Sequence, residues 1–136
     1  MAPDTTSSDT TATGAAHGIA AWHAHIYYDP ARTRDVAARL REKIAAAFPD
    51  AVIGRWHDVN VGPHTRAMYQ VAFGHDLFAG LVPFLALNRE GLTILVHAEL
   101  HGNSRAAHID HAIWMGEVLP VNTAQWDNRA AAPRDA

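Results

Sequence analysis

Cysteine is absent from this chain of 136 residues, and lysine occurs once, at Lys43. The lack of cysteine excludes disulfides and thiolate metal ligands. The basic residues form no cluster and the net charge is −3, so the basic face that nucleic-acid-binding proteins use is missing. No apolar run approaches the roughly 18 residues of a membrane-spanning helix, and the N-terminus has no signal-peptide pattern. These absences predict a soluble cytoplasmic protein that binds neither nucleic acid nor a membrane.

Histidine is the residue type that the chain has in excess, with ten copies against the single lysine. An imidazole that titrates near neutral pH can bind a metal ion or transfer a proton. Because a histidine can also be an ordinary polar residue, its position in the fold has to decide between these roles.

The chain divides into three parts by composition. Residues 1–18 are rich in Thr, Ser, Ala and Gly and lack apolar periodicity, which predicts a disordered leader. Residues 19–126 carry the periodic apolar patterns of one folded domain. Residues 127–136 are predicted to form a flexible tail.

Within the folded part, strand-like and helical patterns follow one another in a defined order. The strands are predicted over residues 20–28, 51–59, 67–74 and 90–99, and the helices over residues 31–48 and 76–89. The order βαββαβ predicts a ferredoxin-like α+β fold. Such a fold has a single antiparallel sheet in the strand order 4-1-3-2, with both helices on one face.

The other face of this sheet has no helix over it. Leu95, Val71 or Met68 would place apolar side chains there. A second subunit commonly covers such a face, so the pattern predicts a homodimer. The extra segment at residues 104–126 could cover part of the face as well.

Two histidines lie one residue apart in the first predicted strand, in the stretch WHAHIYYDP. Alternation places His23, His25 and Tyr27 on the open face of the sheet, and it places His97 of the fourth strand on the same face. Because strands 1 and 4 are antiparallel neighbours in this fold, His97 comes close to His23 and His25. Three converging imidazoles predict a site for Fe, Zn, Cu or Ni that leaves coordination positions for water or substrate.

Other histidines occur after the second strand and near the C-terminus. His57 and Asp58 come late in that strand, and His64 follows in the segment VGPH. We expect His57 and His64 to be functional, although simple topology places their connection at the far end of strand 1 from the paired histidines. The loop either folds back or reaches a site in a partner subunit. His108 is the best candidate among the C-terminal histidines, and His75 is predicted to be a turn residue.

Four motifs occur in an order that resembles a known family. They are WHAHIYYDP, GRWHDVNVGPH, LVPFLALNREGLTILVH and HIDHAIWMG, and they cover about residues 20–118. In these motifs the chain is similar to the DOPA 4,5-dioxygenase family of fungi and bacteria. The resemblance implies extradiol ring cleavage, in which a non-haem ferrous ion and O₂ open the ring of DOPA or a related catechol. It marks seven residues as functional: His23, His25, His57, Asp58, His64, His97 and His108.

The chain departs from the family pattern at three places. Asn60 and Ala107 stand where the family usually has Pro and Asp, and AELHG follows His97 in place of a Pro-x-Thr-Gly motif. Two of these departures lie near residues 98–107, so the resemblance does not define the substrate contacts there. DOPA itself is therefore not strongly implied as the substrate.

The chemistry that the resemblance implies requires a set of metal ligands. His23, His25 and His97 are predicted to bind Fe(II), although imidazole ligands also suit Zn or another divalent metal. The usual set for such an iron is two histidines and one carboxylate, and Asp58 or Glu99 could supply the carboxylate.

The remaining candidates handle protons and substrate. A catechol must lose a proton, and an unperturbed imidazole titrates near pH 6.5, so His64 and His57 are predicted to be catalytic. The residues predicted to contact the substrate are His108, Asp58, Tyr27 and Arg66.

Three other functions remain open from the sequence. The same histidines would suit a metal-dependent hydrolase, or a non-catalytic module that binds a metal or a small molecule. The fold alone would also suit a cofactor-free monooxygenase of the dimeric α+β barrel type, but such an enzyme does not need clustered histidines.

Overall fold

The computed structural model describes residues 18–130, with side chains up to residue 127. Within that range it contains five strands and four α-helices. In chain order they are β1 (Ala21–Tyr28), α1 (Arg34–Ala47), β2 (Val52–Ile53), β3 (Ala67–Gly74), α2 (Phe78–Asn88), β4 (Ile94–Ala98), α3 (Ser104–His108), β5 (Ile113–Met115) and α4 (Ala124–Ala130). A 3₁₀ turn, His75–Leu77, precedes α2.

The five strands form one antiparallel sheet in the order β2-β3-β1-β4-β5. This order confirms the predicted ferredoxin-like α+β arrangement, and β5 adds a strand beside β4. β1 is the central strand and pairs with β3 over its whole length, from Ala21 opposite Gly74 to Tyr28 opposite Ala67. Most side chains of β1 are buried, on both faces of the sheet.

The helices α1 and α2 cover one face because each has apolar residues at helical spacing. α1 buries Ala37, Leu40 and Ile44, and α2 buries Leu81 and Leu85. These residues form one apolar cluster with the side chains of β1, β3 and β4 that alternate toward them. This cluster is the main core of the protein.

The second strand is much shorter than the sequence predicts. Only two residues pair regularly, where the sequence predicts a strand over residues 51–59. Ile53 lies opposite Val71 and His57 lies opposite Met68, so three residues on one side face two on the other. The extra residue is a β-bulge, which ends the regular ladder and changes the face of the residues that follow. His57 therefore shares the face of Met68.

The face without α1 and α2 is covered by the C-terminal part of the chain. A small buried cluster lies there, formed by Tyr27, Met68, Leu95 and Leu119, and Trp114 packs against it. Val71 does not lie on this face, which corrects the sequence-based prediction, because it pairs with Ala24 and points into the main core. The homodimer stays a prediction, but the exposed apolar face that motivated it is absent from the described residues.

Two predicted regions lie partly outside the described residues. The predicted leader is described only at residue 18, and residues 131–136 of the predicted tail are not described. α4 extends into the segment that was predicted as a tail. None of the helices within residues 18–130 has the length and apolar character of a membrane span.

Candidate metal centre

The pairing of β1 with β4 brings three imidazoles together. His23 lies opposite His97 and His25 lies opposite Leu95, so the three histidines share the face away from α1 and α2. The ring centres of His23 and His97 are 5.3 Å apart, and those of His25 and His97 are 5.1 Å apart. Nε2 of His25 is 3.0 Å from Nε2 of His97. The predicted convergence of these residues is present in the structure.

Two further histidines reach the same place from outside the sheet. His64 lies in the connection between β2 and β3, where it forms a backbone bridge with Val121, and His108 is the last residue of α3. The ring of His64 is 4.1 Å from that of His25, and the ring of His108 is 4.0 Å from that of His97. The loop thus folds back onto its own chain. We call His23, His25, His64, His97 and His108 the histidine cluster.

Two groups of three within the histidine cluster could hold a metal ion. One group is His23, His25 and His97, and the other is His25, His64 and His108. In each group the candidate ligand atoms lie within 4.8 Å of one another. Two nitrogens bound to one ion at about 2.1 Å are at most about 4.2 Å apart, so both groups approach the required spacing.

Hydrogen bonds to backbone carbonyls fix which ring nitrogen carries the hydrogen in His97 and His108. Nδ1–H of His97 donates to the carbonyl of Ala98 at 2.9 Å, and Nδ1–H of His108 donates to the carbonyl of Ser104 at 2.8 Å. Metal-binding histidines usually have such a bond on the nitrogen that does not bind the metal. Nε2 of each neutral ring therefore carries the lone pair, and that of His97 accepts a hydrogen bond of 3.0 Å from Nε2–H of His25. Among the described residues, Nδ1 of His25 is buried without a hydrogen-bond partner.

Burial keeps the imidazoles of the cluster neutral. Burial, and then the neighbouring His108, lower the pKa of His97 to about 3 and that of His64 to about 4. Burial and four surrounding imidazoles hold the pKa of His25 well below its usual value. Burial also lowers the pKa of His23, and the nearby Glu99 opposes this shift. The cluster is thus in the neutral form that binds metal ions.

The two carboxylates considered as ligands differ in position, since Glu99 borders the cluster and lines the smaller cavity with His23, whereas Asp58 is bound elsewhere. Oε1 of Glu99 is 3.8 Å from Nε2 of His23, at the partly exposed edge. Asp58 accepts hydrogen bonds from the Tyr28 hydroxyl at 2.6 Å and from Nε of Arg34 at 3.0 Å. These two bonds lower the pKa of Asp58. Asp58 is therefore held in an ion pair on the Tyr28 side of the sheet, away from the histidines.

The residues predicted to contact the substrate line two different cavities. One cavity, of about 250 Å³, is lined by His108 together with His23 and His97. A larger cavity, of about 640 Å³, is lined by Tyr27, Asp58 and Arg66. The smaller cavity is the one that borders two of the predicted metal ligands.

Two histidines outside the cluster have contrasting positions. His57 is partly buried on the face of the cluster, and its charge would lower the pKa of His64 further. His75 begins the 3₁₀ turn and accepts a hydrogen bond of 2.9 Å from Nε1–H of Trp22. His75 is thus a turn residue, as the sequence predicts.

Trp126 is a part of the site that the sequence did not reveal. Its ring centre is 5.4 Å from that of His108, and the residue is buried. A helix-start signal precedes it, since Asn122 accepts a hydrogen bond from the backbone of Ala124 and Thr123 donates one to Asp127. That signal could have placed Trp126 on a helix packed against the domain.

Comparison with known proteins establishes the family of the chain. A sequence profile of the Dopa 4,5-dioxygenase family matches residues 22–125, a range that contains the whole histidine cluster. The chain belongs to the Dopa 4,5-dioxygenase family. The resemblance predicted from the motifs is confirmed.

Three relatives are similar over most of this chain. A DOPA 4,5-dioxygenase of Amanita muscaria is 31% identical over 115 residues, which are 78% of this chain and 49% of that protein. An uncharacterised 21.2 kDa protein of Botryotinia fuckeliana is 36% identical over 112 residues, which are 75% of this chain and 61% of that protein. The chain thus spans about half to three fifths of the length of these curated relatives. A crystal structure of a candidate dioxygenase from Nostoc punctiforme is 47% identical with a TM-score of 0.76, covering 81% of this chain and 93% of that one.

Proposed function

We propose that this protein is an extradiol dioxygenase that opens the ring of a catechol with O₂ at a ferrous ion. Its family supports an oxygenase activity. The observation that carries the proposal is the group His23, His25 and His97, in which two Nε2 atoms are 3.0 Å apart. Three histidine ligands leave coordination positions for other molecules.

These residues fit a divalent transition metal. Imidazole is a suitable ligand for iron and zinc, and the Nδ1–H bond of His97 to a backbone carbonyl is typical of a metal ligand. A ferrous ion held there would bind both oxygens of a catechol together with O₂, which is the chemistry of extradiol cleavage.

Two histidines beside this group, His64 and His57, are the candidates for hydrogen bonding or proton transfer to the substrate. His64 is neutral at physiological pH because burial lowers its pKa to about 4. His57 lies on the same face of the sheet, is more exposed than His64, and is the second candidate. A positioned group that moves a proton contributes about 10²- to 10⁴-fold to a rate.

The substrate ring is best placed in the cavity of about 250 Å³, because His23 and His97 line it. Of the residues predicted to contact substrate, His108 is the one that lines this cavity. Tyr27, Asp58 and Arg66 would instead contact a substrate group that occupies the larger cavity. We therefore propose His108 as the contact to the ring.

The test is metal loading followed by a panel of catechols that includes DOPA. Protein purified without oxygen is loaded with Fe(II) in one sample and with Zn(II) in another, and both are mixed with each catechol in air. We expect oxygen uptake matched to catechol loss, together with a new yellow absorbance, in the iron sample alone. Hydrolysis of ester or amide substrates by the zinc sample, or no turnover by either, would contradict the proposal.

A further inference from the structure

The contact between Tyr27 and His64 joins the central strand to the folded-back loop. The Tyr27 hydroxyl is 2.7 Å from Nδ1 of His64, and both residues are buried, at 3% and 6% exposure. Either partner could in principle donate the hydrogen of this bond. The direction matters, because it decides which nitrogen of His64 has a lone pair.

Counting hydrogens and acceptors gives the direction. Among the described residues, Nδ1 of His64 is the one hydrogen-bond partner of the Tyr27 hydroxyl. If His64 donated from Nδ1, the hydroxyl hydrogen of Tyr27 would be buried without an acceptor, and such a group carries its full desolvation penalty. If Tyr27 donates, its hydroxyl and Nδ1 of His64 are both paired, and the imidazole hydrogen lies on Nε2, which is not among the fully buried unpartnered atoms of the described residues.

We propose that Tyr27 is a positioning residue whose hydroxyl donates to Nδ1 of His64, so that His64 offers an N–H donor at Nε2 and no lone pair to a metal ion. A neutral imidazole has one nitrogen with a lone pair, and Tyr27 occupies it. The group His25, His64 and His108 then retains two usable ligands. The group His23, His25 and His97 does not contain His64, so the Tyr27 bond leaves its ligands unchanged and favours it over the other candidate metal site.

The same bond gives His64 a defined role in the proposed reaction, and this step alone rests on the proposed function. With Nδ1 engaged by Tyr27, Nε2 is the ring nitrogen of His64 left for other partners, and the ring lies 4.1 Å from that of His25. An N–H there would be available to donate a hydrogen bond to a negatively charged oxygen of a substrate that reached it. It cannot accept the catechol proton, which leaves His57 as the candidate base.

The experiment measures the tautomer of His64 directly. The full chain is labelled with ¹⁵N in its histidines, and long-range ¹H–¹⁵N spectra are recorded for the metal-free and the zinc-loaded protein. A His64→Gln sample identifies the signals of His64. We expect Nδ1 of His64 to be the nitrogen without hydrogen in both samples. A hydrogen-bearing Nδ1 would overturn the proposal, whatever any variant does.

Tyr27→Phe tests whether the Tyr27 hydroxyl determines the tautomer of His64. The variant keeps the ring that stacks on Trp114 and removes the hydroxyl alone, so the Nδ1–H form of His64 should become substantially populated. Tyr69→Phe is the matched control, since it removes a buried hydroxyl that donates to the carbonyl of Ala37 on the other face. It should leave the tautomer unchanged. An unchanged tautomer in Tyr27→Phe, or an equal change in Tyr69→Phe, would overturn the proposal.

Zinc binding tests the exclusion of His64 from the ligands. His64→Gln should bind zinc with the stoichiometry of the wild-type chain and within a few-fold of its affinity, whereas loss of zinc would overturn the proposal. These readouts do not depend on ring cleavage. If the iron-loaded wild-type protein cleaves no catechol, the proposed function fails while the tautomer and zinc results still decide this inference.

Discussion

The two faces of β1 differ in kind although they belong to the same eight residues. Toward α1 and α2 the strand presents four residues of the main core: Trp22, Ala24, Ile26 and Tyr28. Toward the C-terminal part of the chain it presents His23, His25 and Tyr27. His25 and Tyr27 are each 3% exposed, so they are as buried as the core residues. Apart from His23, which is partly exposed, the residues of the two faces differ in polarity and not in the extent of their burial.

Hydrogen bonding shows what this difference means. On the core face, the buried hydroxyl of Tyr69 donates to the carbonyl of Ala37 at 2.8 Å. On the other face, Nδ1 of His25 is buried without a partner among the described residues. Leaving a buried polar group unpaired costs roughly 1–3 kcal/mol. The unpaired nitrogen therefore lowers stability on the face where metal binding is proposed, while the core face contributes the stability of the fold.

The largest effect is expected from removing a predicted ligand. His23→Ala, His25→Ala or His97→Ala should each lower the metal content and abolish ring cleavage together, because each removes one of the three proposed ligands. Metal analysis and the catechol assay on the same sample measure both. His111→Ala is the control, since His111 is exposed and outside the histidine cluster. A ligand variant with full metal content would contradict the assignment.

The next effect is a loss of rate without a loss of metal. His64→Ala should keep its iron and still bind catechol, while the rate falls by about 10²- to 10³-fold, because the variant loses a hydrogen-bond donor to the charged substrate. Single-turnover kinetics with metal analysis would measure this. If His64→Ala loses its iron while His23→Ala keeps it, the roles assigned to the two residues are reversed.

Substitutions on the face of β1 toward α1 and α2 should lower the free energy of unfolding. Ile26→Ala should lower the free energy of unfolding by about 2–5 kcal/mol, because Ile26 is fully buried and its loss leaves a cavity. Urea unfolding measures this change. The metal content of each folded chain should stay the same, since Ile26 points away from the histidines. Ile26→Val should cost about 0.5–1.5 kcal/mol. A loss of metal in folded Ile26→Ala would show that the faces are not independent.

The alternation of side chains along a strand accounts for the part of the contrast between the two faces of β1 that the sequence could predict. The period of two in a strand fixes the face of His23, His25 and His97, and the βαββαβ order makes their strands neighbours. The approach of His97 to the other two follows from these local rules, and the pairing of His23 with His97 confirms it.

The parts that could not be predicted depend on irregular backbone. The bulge between Ile53 and His57 inserts one residue, so that alternation from Ile53 gives the wrong face for His57. The return of His64 to the cluster depends on a loop that bridges Val121, almost sixty residues away in the sequence, for which no local pattern exists. Trp126 reaches His108 through the same C-terminal segment.

Acid should lower the stability of the metal-free chain through the histidines of the other face, and by less than Ile26→Ala does. In the folded chain the pKa of His97 is lowered to about 3 and that of His64 to about 4, whereas unfolded histidines titrate near 6.5. As the pH falls below 6.5, the unfolded state binds protons that the folded state does not, so stability falls with pH. Between pH 7.5 and 5.5 the metal-free chain should lose roughly 1–3 kcal/mol. Urea unfolding at each pH measures this, and a stability that rises toward pH 5.5 would contradict the lowered values.

The smallest effect is expected at a histidine outside the cluster. His75→Ala removes the acceptor of the hydrogen bond from Nε1–H of Trp22, a residue of the core face. Loss of one such bond costs about 1 kcal/mol, which should lower the melting temperature by a few degrees. Metal content and the rate of ring cleavage should be unchanged, because His75 lies at the turn before α2. Thermal unfolding, metal analysis and the catechol assay on one preparation check the three expectations. If His75→Ala lost metal, a histidine of the core face would be coupled to the polar face, and the separation between the two faces of β1 would fail.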